Sequence, residues 1–181
     1  MPGILIVFAH PYRNRSRANG ALLSAIDGLE SVTVNALYDK YPAFDVDAEA
    51  EQALLADADV IVWQHPMYWY SVPGLLKHWF DRVLTRGFAY GDGGTSLHGK
   101  KCLWVTTTGG DEHAFSDTGM HAHPFASFAP PIEQTAKFCG MSWETPFVVH
   151  GAHKLSKAEL TAKAATYRER LEALSRREGS A

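Results

Sequence analysis

Two cysteines in 181 residues is too few to staple a fold. Cys102 lies inside an apolar run and Cys139 just before Gly140, so neither a disulfide framework nor a cysteine-based zinc site is expected, and a reducing cytoplasm fits. Positive charge is not in excess either. A net charge of −3 leaves no basic face to neutralise phosphates, which argues against nucleic-acid binding. No apolar run reaches the roughly 20 residues a membrane helix needs. No charged leader or cleavage site precedes the first apolar run. The expectation is a soluble cytoplasmic chain that reaches the inner face of a membrane only through a partner. Also missing are GxxxxGK[ST], GxGxxG after the first strand and GxSxG around Ser71, which argues against a nucleoside triphosphatase, a Rossmann-type dinucleotide enzyme and a serine hydrolase. His121-Ala122-His123 has no carboxylate or cysteine nearby to complete a metal site, so no metal is expected. There is no internal repeat, linker or low-complexity tract, and residues 1–181 read as one domain with a frayed polar tail over 175–181.

What is present is alternation. Ile4 to Ala9 is a nearly continuous apolar run, as a strand covered on both faces requires. Arg17 to Leu29 carries Ala18, Ala21, Leu22, Ala25, Ile26 and Leu29 at helical spacing. Val32 to Leu37 alternates as a second strand, and Asp47 to Ala56 is helical, with Asp45 or Asp47 as N-cap. Asp59 to Gln64 is a third strand, stopped by Pro66, and Pro73 to Leu84 a third helix. Lys101 to Thr107 is a fourth strand. Pro124 or Phe125 to Phe138 is helical, with Pro130-Pro131 breaking or restarting it. Ser142 to Val149 is a fifth strand, and Ser156 to Leu174 a closing helix, with Ser156 and Glu159 at capping-box spacing. Trp63, Trp79 and Trp104 fall in core-like elements. Five strands separated by helices predict an α/β fold, a five-stranded parallel sheet in the flavodoxin-like order 2-1-3-4-5 with helices on both faces.

In such sheets ligands bind at the carboxyl ends of the strands. The first strand ends in His10-Pro11 and leads to Arg13, Arg15, Ser16, Arg17, Ala18 and Asn19, where the first helix starts. Free N–H groups and the helix dipole make that end an anion site, with Ser16 capping or donating to phosphate and Asn19 bracing the loop. The third strand runs into Gln64-His65-Pro66-Met67-Tyr68-Trp69-Tyr70, a row of aromatics suited to a flat ring, or alternatively to a protein interface. The fourth ends in Thr106-Thr107-Thr108-Gly109-Gly110-Asp111, where glycines let amides approach a ring edge. Together the loops suit phosphate, ring face and ring edge, and so flavin mononucleotide (FMN), with FAD as the alternative. Gly91-Asp92-Gly93-Gly94-Thr95 reads as a flexible surface loop.

These residues carry a resemblance. His10-Pro11, Ser16-x-Ala18-Asn19, Gln64 to Tyr70 and Thr107-Thr108-Gly109-Gly110 resemble the flavodoxin-like NAD(P)H:quinone oxidoreductases, in particular the ancillary subunits of bacterial glutathione-gated potassium efflux (Kef) systems. Leu37-Tyr38-x-x-Tyr41-Pro42, Phe88 to Gly91 and Leu97 to Lys100 agree, so the resemblance spans residues 4 to 172. It implies an FMN-bound homodimer whose active site the neighbouring subunit completes, a quinone substrate, NAD(P)H as electron donor and a potassium/proton antiporter as partner. Position by position, it implies flavin contacts at His10, Ser16, Arg17, Ala18, Asn19, Met67, Tyr68, Trp69, Tyr70, Thr107, Thr108, Gly109 and Gly110.

The animal-type members place a tyrosine and then a histidine shortly after Thr-Thr-Gly-Gly. Here the segment reads Asp111-Glu112-His113-Ala114-Phe115, with His121 and His123 further on. The tyrosine is absent, and Tyr70, His113 and Glu112 become the candidates for proton donor. The expected activity is a two-electron ping-pong exchange in which nicotinamide leaves before quinone enters. A non-catalytic regulatory subunit and a one-electron carrier are the alternatives.

Overall fold

The computed structural model describes residues 3–176. Its sheet is parallel throughout, built from β1 (Ile4–Phe8), β2 (Val32–Ala36), β3 (Val60–Pro66), β4 (Lys101–Thr107), β5 (Ser142–Trp143) and β6 (Phe147–Val149) in the order β2-β1-β3-β4-β5, with β6 also on β4. The expected order is therefore found. The fifth strand, however, is broken in two. Lys101 faces Ser142 while Val105 faces Phe147, so the outer strand carries one extra residue over that interval. Pro146 lies in the gap and has no N–H to donate, an arrangement an edge strand tolerates.

The helices are α1 (Arg17–Ala25), α2 (Leu37–Lys40), α3 (Ala48–Asp57), α4 (Gly74–Val83), α5 (Pro130–Phe138) and α6 (Lys157–Leu174). Side chains alternate across a strand, and here each face has its own core. Leu5, Val7, Ile61, Trp63, Cys102 and Trp104 pack with Leu75, Trp79 and Ile132 from α4 and α5. Ile4, Ile6, Phe8, Val60, Val62, Leu103 and Val105 pack with Leu22, Tyr167 and Leu171 from α1 and α6. The apolar runs are continuous because both faces are buried. Trp63, Trp79 and Trp104 are core residues, as their elements suggest.

Helix ends follow their signals in part. Asp47, not Asp45, caps α3, its side chain accepting from the Ala50 N–H at 3.1 Å. Ser156 and Glu159 form the expected reciprocal box, at 3.2 and 2.7 Å. α1 stops at Ala25 rather than Leu29, shortly before Gly28 at φ +78°. Pro130-Pro131 opens α5 instead of interrupting a longer helix, and Phe125–Phe128 is a separate 3-10 turn. Leu37 belongs to α2 rather than to the second strand, and β3 continues past Gln64, with Pro66 facing Thr107. Of the polar tail, Ser175 and Arg176 are still hydrogen-bonded to α6, and residues 177–181 lie outside the described residues. No helix among the described residues is long and apolar enough to cross a membrane.

Candidate active site

The carboxyl ends of β1, β3, β4 and β6 converge on one trough. Its first part, a cleft of about 280 Å³, is lined by His10, Ser16, Arg17, Ala18, Met67, Tyr68, Thr107, Thr108 and Gly109, with Ala152 and His153 from beyond β6. Its second, of about 200 Å³, is lined by Met67, Trp69, Tyr70, Thr108, Gly109, Gly110, Phe115 and His121. Met67, Thr108 and Gly109 belong to both, which makes the trough continuous. Every expected flavin contact except Asn19 lines it.

At one end, Ser16 caps α1 by accepting from the Asn19 N–H at 3.2 Å. The N–H groups of Arg17 and Ala18 precede any intrahelical acceptor and donate to no other acceptor among the described residues. They and the helix dipole give an anion-binding end. His10 is 9 % exposed, and its Nδ1 accepts from the Tyr12 N–H at 3.0 Å. That leaves Nε2 to carry the ring hydrogen, and burial holds the pKa below the ordinary histidine value.

Asn19 works from beneath. It is 1 % exposed. Its Nδ2 donates to Ser16 Oγ and Thr107 Oγ1, both at 3.2 Å, and its Oδ1 accepts from Gln64 Nε2 at 3.2 Å. Gln64 Oε1 accepts from the Tyr167 hydroxyl at 2.9 Å. This buried chain ties the first loop to β3, β4 and α6, so Asn19 holds the loop rather than lining the trough.

The aromatic segment is a tight turn. Tyr68 and Ser71 exchange backbone hydrogen bonds at 3.1 and 3.0 Å, and the two residues between them, Trp69 and Tyr70, have φ +50° and +61°. Asn and Gly normally occupy such a turn, and each non-glycine residue there costs about 1–2 kcal/mol. The cost places two large rings at the rim. Trp69 is 92 % exposed and Tyr70 stacks on Phe128 at 5.3 Å between centroids.

At the other end, the N–H groups of Gly109 and Gly110 donate to no acceptor among the described residues. A Cβ on Gly110 would come within 3.0 Å of both the Ala114 Cβ and His121 Nε2, so only glycine leaves its amide approachable. Glu112 and His113 line neither part of the trough. Both are exposed on the outer side of a short turn, because Phe115 rather than a polar residue is the one turned inward. His121 comes instead. Its Nδ1 lies 3.4 Å from the Tyr70 hydroxyl and its ring packs on Phe115 at 4.4 Å. The sequence shows His121 as half of a His-x-His pair and as a histidine beyond the Asp111 to Phe115 segment, but does not single it out as a proton donor; its spacing after Gly109-Gly110 is the available signal. His153 had none. Among the described residues no cluster of three His, Cys, Asp or Glu side chains is placed to hold a metal.

The chain is similar along its length to known proteins. The family model for the flavodoxin-like fold matches residues 2–171. The glutathione-regulated potassium-efflux system ancillary protein KefF of Salmonella typhi is 49% identical over 169 residues, covering 93% of this chain and 94% of that protein. General stress protein 14 of Treponema denticola, solved in complex with FMN, is 35% identical with TM-score 0.90, covering 96% of this chain and 100% of that one. An NADPH-quinone reductase from P. pentosaceus is 31% identical with TM-score 0.85, over 93% and 96%. A chain from Streptomycin violaceusniger described as a thermophilic tryptophan halogenase is 36% identical with TM-score 0.89, over 92% and 97%. The shared fold thus goes with differently named chemistries, and any activity is set by the side chains and amides of the trough. By sequence and by fold, this chain belongs to the flavodoxin-like family that includes the ancillary proteins of glutathione-regulated potassium-efflux systems.

Proposed function

We propose that this protein is an FMN-dependent NAD(P)H:quinone oxidoreductase that also serves as an activating ancillary subunit of a Kef-type potassium/proton antiporter. One observation carries the enzymatic reading: free amides stand at both ends of a single trough, at Arg17-Ala18 and at Gly109-Gly110, with an aromatic turn between them. That donor set fits a flat ring with an acceptor-rich edge and a phosphate tail. The FMN complex of the 35%-identical Treponema denticola protein and the NADPH-quinone reductase name of the 31%-identical P. pentosaceus protein support it.

When bound, FMN would supply the two-electron hydride chemistry between NAD(P)H and a quinone. The protein binds and orients. Ser16 and the first amides of α1 hold the phosphate, and Met67, Tyr68 and Trp69 wall the ring. The Gly109 and Gly110 amides donate to the ring edge where negative charge grows. Tyr70 presents a hydroxyl proton at the open side, and His121 at 3.4 Å resupplies it. Glu112 and His113, outside the trough, take no part in this scheme.

The solvent-facing Trp69 and the 86 % exposed Met120 leave the rim apolar, which supports a homodimer whose second copy covers it. The antiporter role is supported by the 49% identity to an ancillary efflux protein, and a cytoplasmic position at the inner membrane face is part of that reading.

The test is the visible spectrum of protein supplied with FMN and desalted, before and after anaerobic NAD(P)H. A yellow protein that bleaches, then recovers colour on adding quinone, is the expected result. Retained colour without bleaching would favour the non-catalytic regulatory role, and a colourless protein would overturn the cofactor assignment.

A further inference from the structure

His150, just beyond β6, belongs to no motif singled out in the sequence, yet it ends a hydrogen-bond chain beneath the Gly109-Gly110 loop. The Gly110 carbonyl accepts from the Thr108 hydroxyl at 2.7 Å and from the Gly151 N–H at 2.8 Å. Thr108 has one hydroxyl hydrogen, and Gly110 takes it. The 3.1 Å contact between Thr108 Oγ1 and His150 Nδ1 therefore requires His150 to be the donor. That assigns the ring hydrogen to Nδ1 from the bonding alone. The ring is lodged against Phe115 and Phe125, 5.3 Å from each centroid, so its orientation is held by packing as well. Nδ1 carries a hydrogen whether the ring is neutral or charged, so protonation leaves the chain intact.

We propose that His150 is a positioning residue for flavin binding. Through Thr108 it keeps the Gly110 carbonyl in protein contacts, leaving the Gly109 and Gly110 amides free to face the ring edge. Without that donor, the Thr108 hydroxyl is free to rotate and the carbonyl loses one of its two anchors. A carbonyl turned into the trough would set lone pairs against the acceptors of the ring edge, so weaker FMN binding follows from electrostatics. The proposal rests on the flavin reading above.

The test is FMN affinity, measured by quenching of flavin fluorescence. His150→Phe keeps the ring packing and removes the donor; it should raise the Kd about five- to tenfold, the worth of one hydrogen bond. His150→Asn, which returns an N–H near the Nδ1 position, should restore affinity to within about twofold. Thr108→Val should cost as much as His150→Phe, and the double variant no more than either, because the two act in one chain. Should His150→Phe fail to fold, Thr108→Ser against Thr108→Val carries the same contrast, with only the valine variant weakened. In the FMN-free protein, the 15N spectrum of the imidazoles should show His150 with its hydrogen on Nδ1. Wild-type affinity in His150→Phe, additive losses in the double variant, or an Nε2–H tautomer would each overturn the proposal while the flavin reading stood. A wild-type protein that binds no FMN would overturn both.

Discussion

Trp104 Nε1 donates to His65 Nε2 across 2.7 Å, with both side chains wholly buried. The bond dictates the tautomer, since His65 must then carry its hydrogen on Nδ1, and the Pro66 carbonyl lies 2.9 Å from that atom to receive it. His65 is thereby locked beneath the turn that presents Trp69 and Tyr70.

A pH dependence of stability follows. Burial lowers the His65 pKa from 6.5 to about 4. The unfolded chain takes up a proton near pH 6.5 that the native state refuses until about pH 4. Stability is therefore lost as pH falls through that window, by about 3 kcal/mol, and levels off below it. His10 and His150, also lowered by burial, act in the same direction. Urea unfolding of wild type and His65→Gln between pH 7 and 4 isolates the His65 share. The variant should be less stable at pH 7 and show a flatter profile; parallel profiles would refute the assignment.

Glu51 is fully buried on α3 and gathers donors from four directions. Lys40 Nζ at 2.7 Å, the Tyr41 hydroxyl at 2.8 Å, Trp79 Nε1 at 2.7 Å and the Asn35 amide all reach its carboxylate. Removing the acceptor strands buried donors that packing cannot satisfy. Glu51→Ala should cost about 3–5 kcal/mol in chemical denaturation. Lys40→Met should also be strongly destabilising, because it leaves the fully buried carboxylate with three neutral donors and without its counter-charge.

The left-handed turn sets stability against function. Trp69→Asn with Tyr70→Gly installs the residues that turn geometry prefers and should stabilise the fold by about 1–2 kcal/mol. Quinone turnover should fall at the same time, because the ring wall and the hydroxyl are both lost. A melting temperature that rises while kcat/KM holds would assign the rings to an interface rather than to the substrate site.

For the proton, Tyr70→Phe should slow the quinone half-reaction by about a hundredfold, the lower end of general acid catalysis. It should leave the nicotinamide half-reaction much less affected. His121→Phe should slow the same step. Glu112→Gln and His113→Gln should stay within about twofold of wild type, since neither side chain reaches the trough. Stopped-flow measurement of each half-reaction separates these cases, and a collapse in either of the last two variants would return the proton to the segment following Gly110.

Much of this protein was legible in its sequence, for local reasons. The two-sided burial of β1, β3 and β4 is written as unbroken apolar runs, and the cap at Ser16 and the box at Ser156 and Glu159 as short-range pairs. Glycines at 109 and 110 mark a close approach before any partner is known. Tertiary structure decided the rest. The single extra residue that splits the last strand depends on its register against β4. Asn19 is placed beneath the trough by Gln64, Thr107 and Tyr167, three residues from three other elements. Tyr70 meets His121 across 51 residues of chain, brought there because Phe115 buries itself and turns the segment back over the rim. Periodicity and capping act over one or two turns of backbone and can be read in one dimension; which side chain faces which across the trough is set by packing, which exists only in three.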